Sequence, residues 1–174
     1  MELPTSYRDV IEPLIANART ALEEGQSLKP TTFIGNFATQ EMGFVEWSNR
    51  DANAKDQTAF AIRMSAVELD ADFVLSISES CLLARDKANR YAEIMEKYGS
   101  IKASPYCVDV LLFTLETRYG TWMGSGYPKP KGLSKKKRTF GEVVLERVNS
   151  MEGRFGKLLP PKLGQEAGES LPLQ

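Results

Sequence analysis

The chain has 174 residues, 26% of them charged and 42% hydrophobic, with a formal net charge of −1. That length and apolar content suffice for one globular core without staples, and the charge excludes a polyelectrolyte, so attraction to nucleic acid or a membrane must come from a local patch. Histidine is absent, which removes the commonest general base, the commonest metal ligand and the near-neutral pH switch.

Residues 6–24 carry an amphipathic helix stripe, Tyr7, Val10, Ile11, Leu14, Ile15, Ala18 and Leu22, with Ser6 as N-cap and Gly25 as stop. Pro13 interrupts it, so the helix either bends there or restarts. Two runs of β-branched and aromatic residues, 31–37 and 42–47, flank a polar stretch and form a hairpin. Gly35 and Gly43 weaken these strands and read as bulge positions.

A helix from about 54 to 69 follows, capped by Asp51 or Asn53. Phe60, Met64 and Val67, with Ala59, Ile62 and Ala66 beside them, are read as its core stripe. Residues 72–83 then give the cleanest strand pattern. Phe73, Leu75, Ile77, Glu79, Cys81 and Leu83 share one face, and Val74, Ser76, Ser78, Ser80 and Leu82 the other. Glu79 must be paired, protonated or at a rim; the strand ends near it, which favours the rim. The serine face suits small-residue packing, a solvated surface or close approach of a ligand.

Residues 84–98 read as a helix with Ala88, Tyr91, Ala92, Met95 and Tyr98 inward and Gly99 as its end. The apolar run 107–119 reads as a strand. GTWMGSGYPKPKG, 120–132, reads as a loop rich in structure breakers. Another strand is expected from Lys136 or Lys137 to Val148, making a long hairpin with 107–119. A short edge strand is expected near 154–159.

These elements predict an α+β fold of order αββαβαββ, with a possible last β. The sheet is expected to be mixed or mostly antiparallel, of about five strands, with three helices mainly on one face. Residues 1–159 are read as a single domain and 160–174 as a flexible tail.

Two cysteines without histidine exclude a structural zinc site within one chain. Cys81 and Cys107 lie in apolar strand-like runs and read as buried small hydrophobes. MELPTSYRD carries acid early and lacks an apolar run, and no window has membrane-helix length. A soluble protein of a reducing, cytoplasmic compartment is expected. No cofactor or metal is implied: no acidic calcium-loop spacing is present, and GTWMGSG lacks the lysine and helix start of a phosphate loop.

The most unusual stretch is KPKGLSKKKR. Lys129, Lys131, Lys135, Lys136, Lys137 and Arg138, with Trp122 and Tyr127 upstream, suit an anionic ligand, a nucleic acid or a nucleotide-like molecule. The plainer reading is a solvated loop whose lysines keep a sheet edge soluble. A second candidate is a polar sheet face of Ser76, Ser78, Glu79, Ser80, Glu116 and Arg118. A carboxylate pair of Glu79 and Glu116, with Arg118 as electrostatic support, is the catalytic reading of it. Glu116 and Arg118, two apart on one strand face, read better as an ordinary surface ion pair, and no nucleophile with an activating base is present.

The arrangement looks like that of many small bacterial or phage proteins, with no family motif among its residues. The leading expectation is a non-catalytic binding or interaction protein, meeting a protein partner or a second copy through an open sheet edge. Anion binding through 129–138 and a histidine-free carboxylate enzyme are the alternatives.

Overall fold

Apolar residues on both sides of one strand organise the molecule. The structure, a computed structural model, describes residues 2–47, 51–149 and 155–161. Its elements are α1 (Thr5–Glu23), β1 (Thr31–Gly35), β2 (Met42–Glu46), α2 (Ala52–Glu68), β3 (Phe73–Leu83), a 3-10 helix (Arg85–Arg90), α3 (Tyr91–Tyr98), β4 (Cys107–Thr117), β5 (Gly120–Gly126), β6 (Lys129–Pro130), β7 (Arg138–Thr139) and β8 (Glu146–Val148). Six strands form one sheet in the order β2-β1-β3-β4-β5-β8, every pair antiparallel. The fold is therefore α+β, with six strands rather than about five.

The helices do not share a face. Phe73, Leu75 and Ile77 of β3 pack with Leu111, Phe113 and Leu115 of β4 and Trp122 of β5 beneath the Tyr7–Leu22 stripe of α1. On the reverse side, Val74 and Ile34 pack with Ala59, Ile62 and Ala66 of α2. The first five residues of β3 are all buried, so this half of the sheet needs cover on both sides, and a one-sided arrangement would leave Val74 and Ile34 wet.

Local chemistry explains most boundaries. Pro13 lies inside a continuous α1, and Pro4 rather than Ser6 occupies the N-cap, with no side-chain capping bond. Asp51 caps α2, its Oδ1 accepting from Ala54 N at 2.8 Å. Gly99 ends α3 at φ 75°, in the left-handed region glycine favours. The β1–β2 register runs unbroken from Thr31↔Glu46 to Gly35↔Met42, so neither glycine marks a bulge. Gly35 instead makes room for the Phe73 ring, which would lie 2.3 Å from a Cβ there.

Several expectations are corrected. On α2 the core stripe is Ala59, Ile62 and Ala66, whereas Phe60 is 64% exposed and Met64 and Val67 are also exposed. Small residues bring the helix axis close to the sheet, and that approach decides which stripe turns inward. Residues 84–98 split into a 3-10 helix and a short α3 whose buried residue is Ile94, not Tyr91 or Met95.

GTWMGSG is strand β5, joined to β4 by the two-residue turn Arg118-Tyr119, and Trp122 is fully buried. Its glycines are gaps for a crossing segment: a Cβ at Gly124 would lie 2.8 Å from Val143 Cγ1, and one at Gly126 would lie 2.8 Å from the Phe140 ring. That segment, 140–145, is therefore not the middle of a long strand; only 138–139 and 146–148 are paired. Arg19 of α1 holds it, donating to the carbonyls of Phe140 and Gly141 at 3.0 Å each. Residues 155–159 form no strand, and Arg154 and the 162–174 part of the expected tail lie outside the described residues.

Cys81 and Cys107 are joined in a disulfide, with Cα atoms 5.6 Å apart. They come together because β3 and β4 pair along their whole length, Leu83 opposite Cys107. The expectation of free buried thiols is overturned, and with it the cysteine ground for a reducing compartment. Among the described residues no helix is long and apolar enough to cross a membrane.

Candidate functional site

The basic loop is a small hairpin in which Lys129 pairs with Thr139 and Pro130 with Arg138. Two of its cations are used internally. Lys131 Nζ donates to Glu23 Oε2 at 2.6 Å, and the Thr139 hydroxyl donates to Glu23 Oε1 at 2.7 Å. These bonds, Lys131's foremost, hold the Glu23 carboxyl below its ordinary value. Arg138 Nη2 donates to Glu79 Oε1 at 2.9 Å, so Glu79 is paired at an exposed rim. Lys129, Lys135, Lys136, Lys137 and Tyr127 face solvent. Trp122, wholly inside the core, offers no ring to a base.

The polar sheet face does not assemble as one site. Glu79 lies opposite Leu111 on the α1 side, whereas Glu116 lies opposite Val74 on the α2 side. Ser76 is buried, its hydroxyl 2.9 Å from Thr32 Oγ1, which also accepts from Trp47 Nε1 at 2.7 Å. Ser78 and Ser80 are half-buried further along β3.

Glu116 and Arg118 do not pair as a surface ion couple; both are buried and hold the segment 155–161. Glu116 Oε2 accepts from Leu159 N at 3.0 Å, while Oε1 has no partner. Arg118 Nη1 donates to Pro160 O and Nη2 to Ala71 O, while Nε has none. Phe155 stacks on Trp47 at 4.1 Å, and Leu158 enters the α2-side core.

Burial raises the Glu116 carboxyl above its ordinary 4.5, against the lowering effects of the 157–159 amides and Arg63. The folded chain thus holds this proton more tightly than the unfolded chain. Its stabilising contribution is complete below 4.5 and is lost as pH rises through the folded-state value. Glu116→Gln, which cannot ionise, should melt above the parent at pH 7, and the gap should close as pH falls below 4.5. Thermal melts of both proteins across that range check this; a parent that is the more stable at neutral pH contradicts it.

Two features arise from juxtapositions the sequence patterns did not single out. The first is the β2 edge. Across the α1 side of the sheet, register aligns Trp122, Leu115, Leu75, Phe33 and Phe44 in one row. Arg147 covers the Trp122 end, its guanidinium 5.8 Å from the ring. At the other end Phe44 is 67% exposed and Met42 52% exposed, and among the described residues no strand pairs with the outer edge of β2. The signal was available: one helix about 10 Å wide cannot cover every strand of a broad sheet.

The second is an open cleft of about 540 Å³ beside the start of α1, where Tyr7, Phe37, Asp72, Arg118 and Tyr119 converge. The β3–β4 pairing brings Arg118 to Asp72, and the β1–β2 turn brings Phe37. Asp72 Oδ2 accepts from Phe37 N at 2.8 Å. Burial foremost, and then the Asp72 charge, push the Tyr7 hydroxyl up to about 12, so it stays protonated. Burial also lowers the Arg118 guanidinium from its ordinary value, opposed by Asp72 and Asp70. Among the described residues no cluster of acids and cysteines has the makings of a metal site.

Comparison with protein-family models, with curated proteins and with solved structures finds no match to this chain.

Proposed function

We propose that this is a non-catalytic interaction protein whose working contact is β2 pairing with β2 of a second copy. The observation that supports this most is the exposed Phe44 at the open end of a row whose other members are buried or, at Phe33, partly buried. Edge strands are ordinarily guarded by lysine, proline, a bulge or a covering element. Residues 42–46, MGFVE, have neither lysine nor proline, and their ladder to β1 is unbroken. Their only charge, Glu46, is neutralised by Lys29 Nζ at 3.1 Å.

Antiparallel pairing about a two-fold axis at Phe44 sets Phe44 against its own copy and Met42 against Glu46. The apolar row then runs on from one protomer into the next, and both sets of strand N–H and C=O groups are satisfied. Two five-residue strands make a small interface, so a dissociation constant of roughly micromolar or weaker is expected. Sedimentation over a concentration series should show reversible dimerisation, and Phe44→Lys should leave a monomer of unchanged melting temperature. A parent chain that stays monomeric at its highest soluble concentration contradicts the reading.

A further inference from the structure

The tip of the basic hairpin carries an apolar side chain that the fold leaves unused. Leu133 is 105% exposed, the most of any large hydrophobic residue among those described. It lies between Lys129 and Lys131 on one arm and Lys135, Lys136 and Lys137 on the other, all of them exposed. The hairpin that presents it is braced. Lys131 N donates to Lys137 O at 2.9 Å, and the amides of Lys136 and Lys137 donate to Ser134 Oγ at 3.3 and 3.2 Å. Gly25, just past α1, lies against Lys136 and Lys137.

The acids beside the hairpin are engaged at its base: Glu23 with Lys131 and Thr139, and Glu79 with Arg138. Among the described residues Lys129, Lys135, Lys136 and Lys137 have no ion-pair partner. Glu24, next to Gly25, offsets one of these four charges and leaves three. Glu142 follows the Gly141 carbonyl that Arg19, a further cation, holds.

A lysine run alone keeps a sheet edge soluble, but it gives no reason for a leucine at its apex. Stacking on bases needs rings, and Trp122 is buried. An anionic bilayer attracts clustered lysines and takes an exposed apolar side chain into its interface, and two such signals hold a protein where one does not. We propose that this hairpin docks on a bilayer surface rich in anionic lipid. Leu133 enters the interface, and Lys129, Lys135, Lys136 and Lys137 meet the headgroup charges. Tyr127, also exposed, has the amphipathic ring that settles at headgroup level. The hairpin shares no residue with β2, so this docking is independent of the strand contact.

The test is sedimentation of the full chain with vesicles of phosphatidylcholine, alone or with about 30% phosphatidylserine. Only the anionic vesicles should carry the protein down, and raising salt from about 0.1 to 0.5 M should release it. Changing Lys135, Lys136 and Lys137 together to alanine should weaken binding about a hundredfold, near fivefold per lysine. Leu133→Ser should weaken it at least about fivefold, a loss that a site reading charge alone would not show. Leu133→Trp should bind at least as tightly as the parent, and its emission should shift to the blue with anionic vesicles. All four positions are exposed, so each variant should melt with the parent. The proposal is overturned by no binding to anionic vesicles, by equal binding to neutral ones, or by an unshifted Leu133→Trp emission. Full binding by the triple variant or by Leu133→Ser overturns it too. A single-stranded oligonucleotide that binds more tightly than the vesicles, with Leu133→Ser as good as the parent, overturns it in favour of nucleic acid.

Discussion

Trp122→Ala should cost about 3–5 kcal/mol, the range for removing a large buried aromatic. In a chain of this size that lowers the melting temperature by roughly 6–20 °C. Trp122 is fully buried, opposite Leu115 on β4, and packs into the α1-side core. It contributes by filling space: its indole Nε1 has no hydrogen-bond partner. Trp122→Phe should therefore lose much less than Trp122→Ala, since it keeps most of the volume and gives up an unsatisfied donor. Were 120–126 a surface loop, Trp122→Ala would melt within about 1 °C of the parent, as substitutions of exposed residues generally do. Thermal melts followed by circular dichroism decide between the two.

Trp122 also marks where the chain could be read and where it could not. Runs of β-branched, aromatic and apolar residues mark β1, β2 and β4, and period-two alternation marks β3, because each signal is carried by neighbours in the chain. Gly120, Gly124 and Gly126 have the local signature of breakers, since locally a glycine only frees the backbone. Their role, leaving space for Arg147, Val143 and Phe140, depends on a segment that returns about twenty residues later. The α2 stripes failed for a related reason. Ala59, Ile62 and Ala66 compete with Phe60, Met64 and Val67 at the same helical period, and periodicity does not rank a small stripe against a large one.

The site residues divide in the same way. The basic loop was legible as a run of charge, but its pairing with Glu23 and Glu79 needs the topology that brings α1 and β3 beneath it. Glu116 and Arg118 stood out as charges at the end of an apolar strand. That both reach the backbone of 158–161 or its surroundings, instead of each other, follows from long-range packing alone. The cleft joins residues 7, 37, 72 and 118–119, and no local pattern connects those positions.

The β2 contact is tested most directly by its register. A two-fold axis at residue 44 places the two copies of that residue directly opposite, with Cα atoms about 4.5–5.5 Å apart, inside the roughly 4.4–6.8 Å a disulfide spans. Both native cysteines are already joined to each other, so a new thiol has no competitor within its own chain. Phe44→Cys under mild oxidation should give a covalent dimer on a non-reducing gel. Gln57→Cys, also at an exposed position, on α2, should remain monomeric. If Phe44→Cys yields no more dimer than Gln57→Cys, the two copies do not meet along β2.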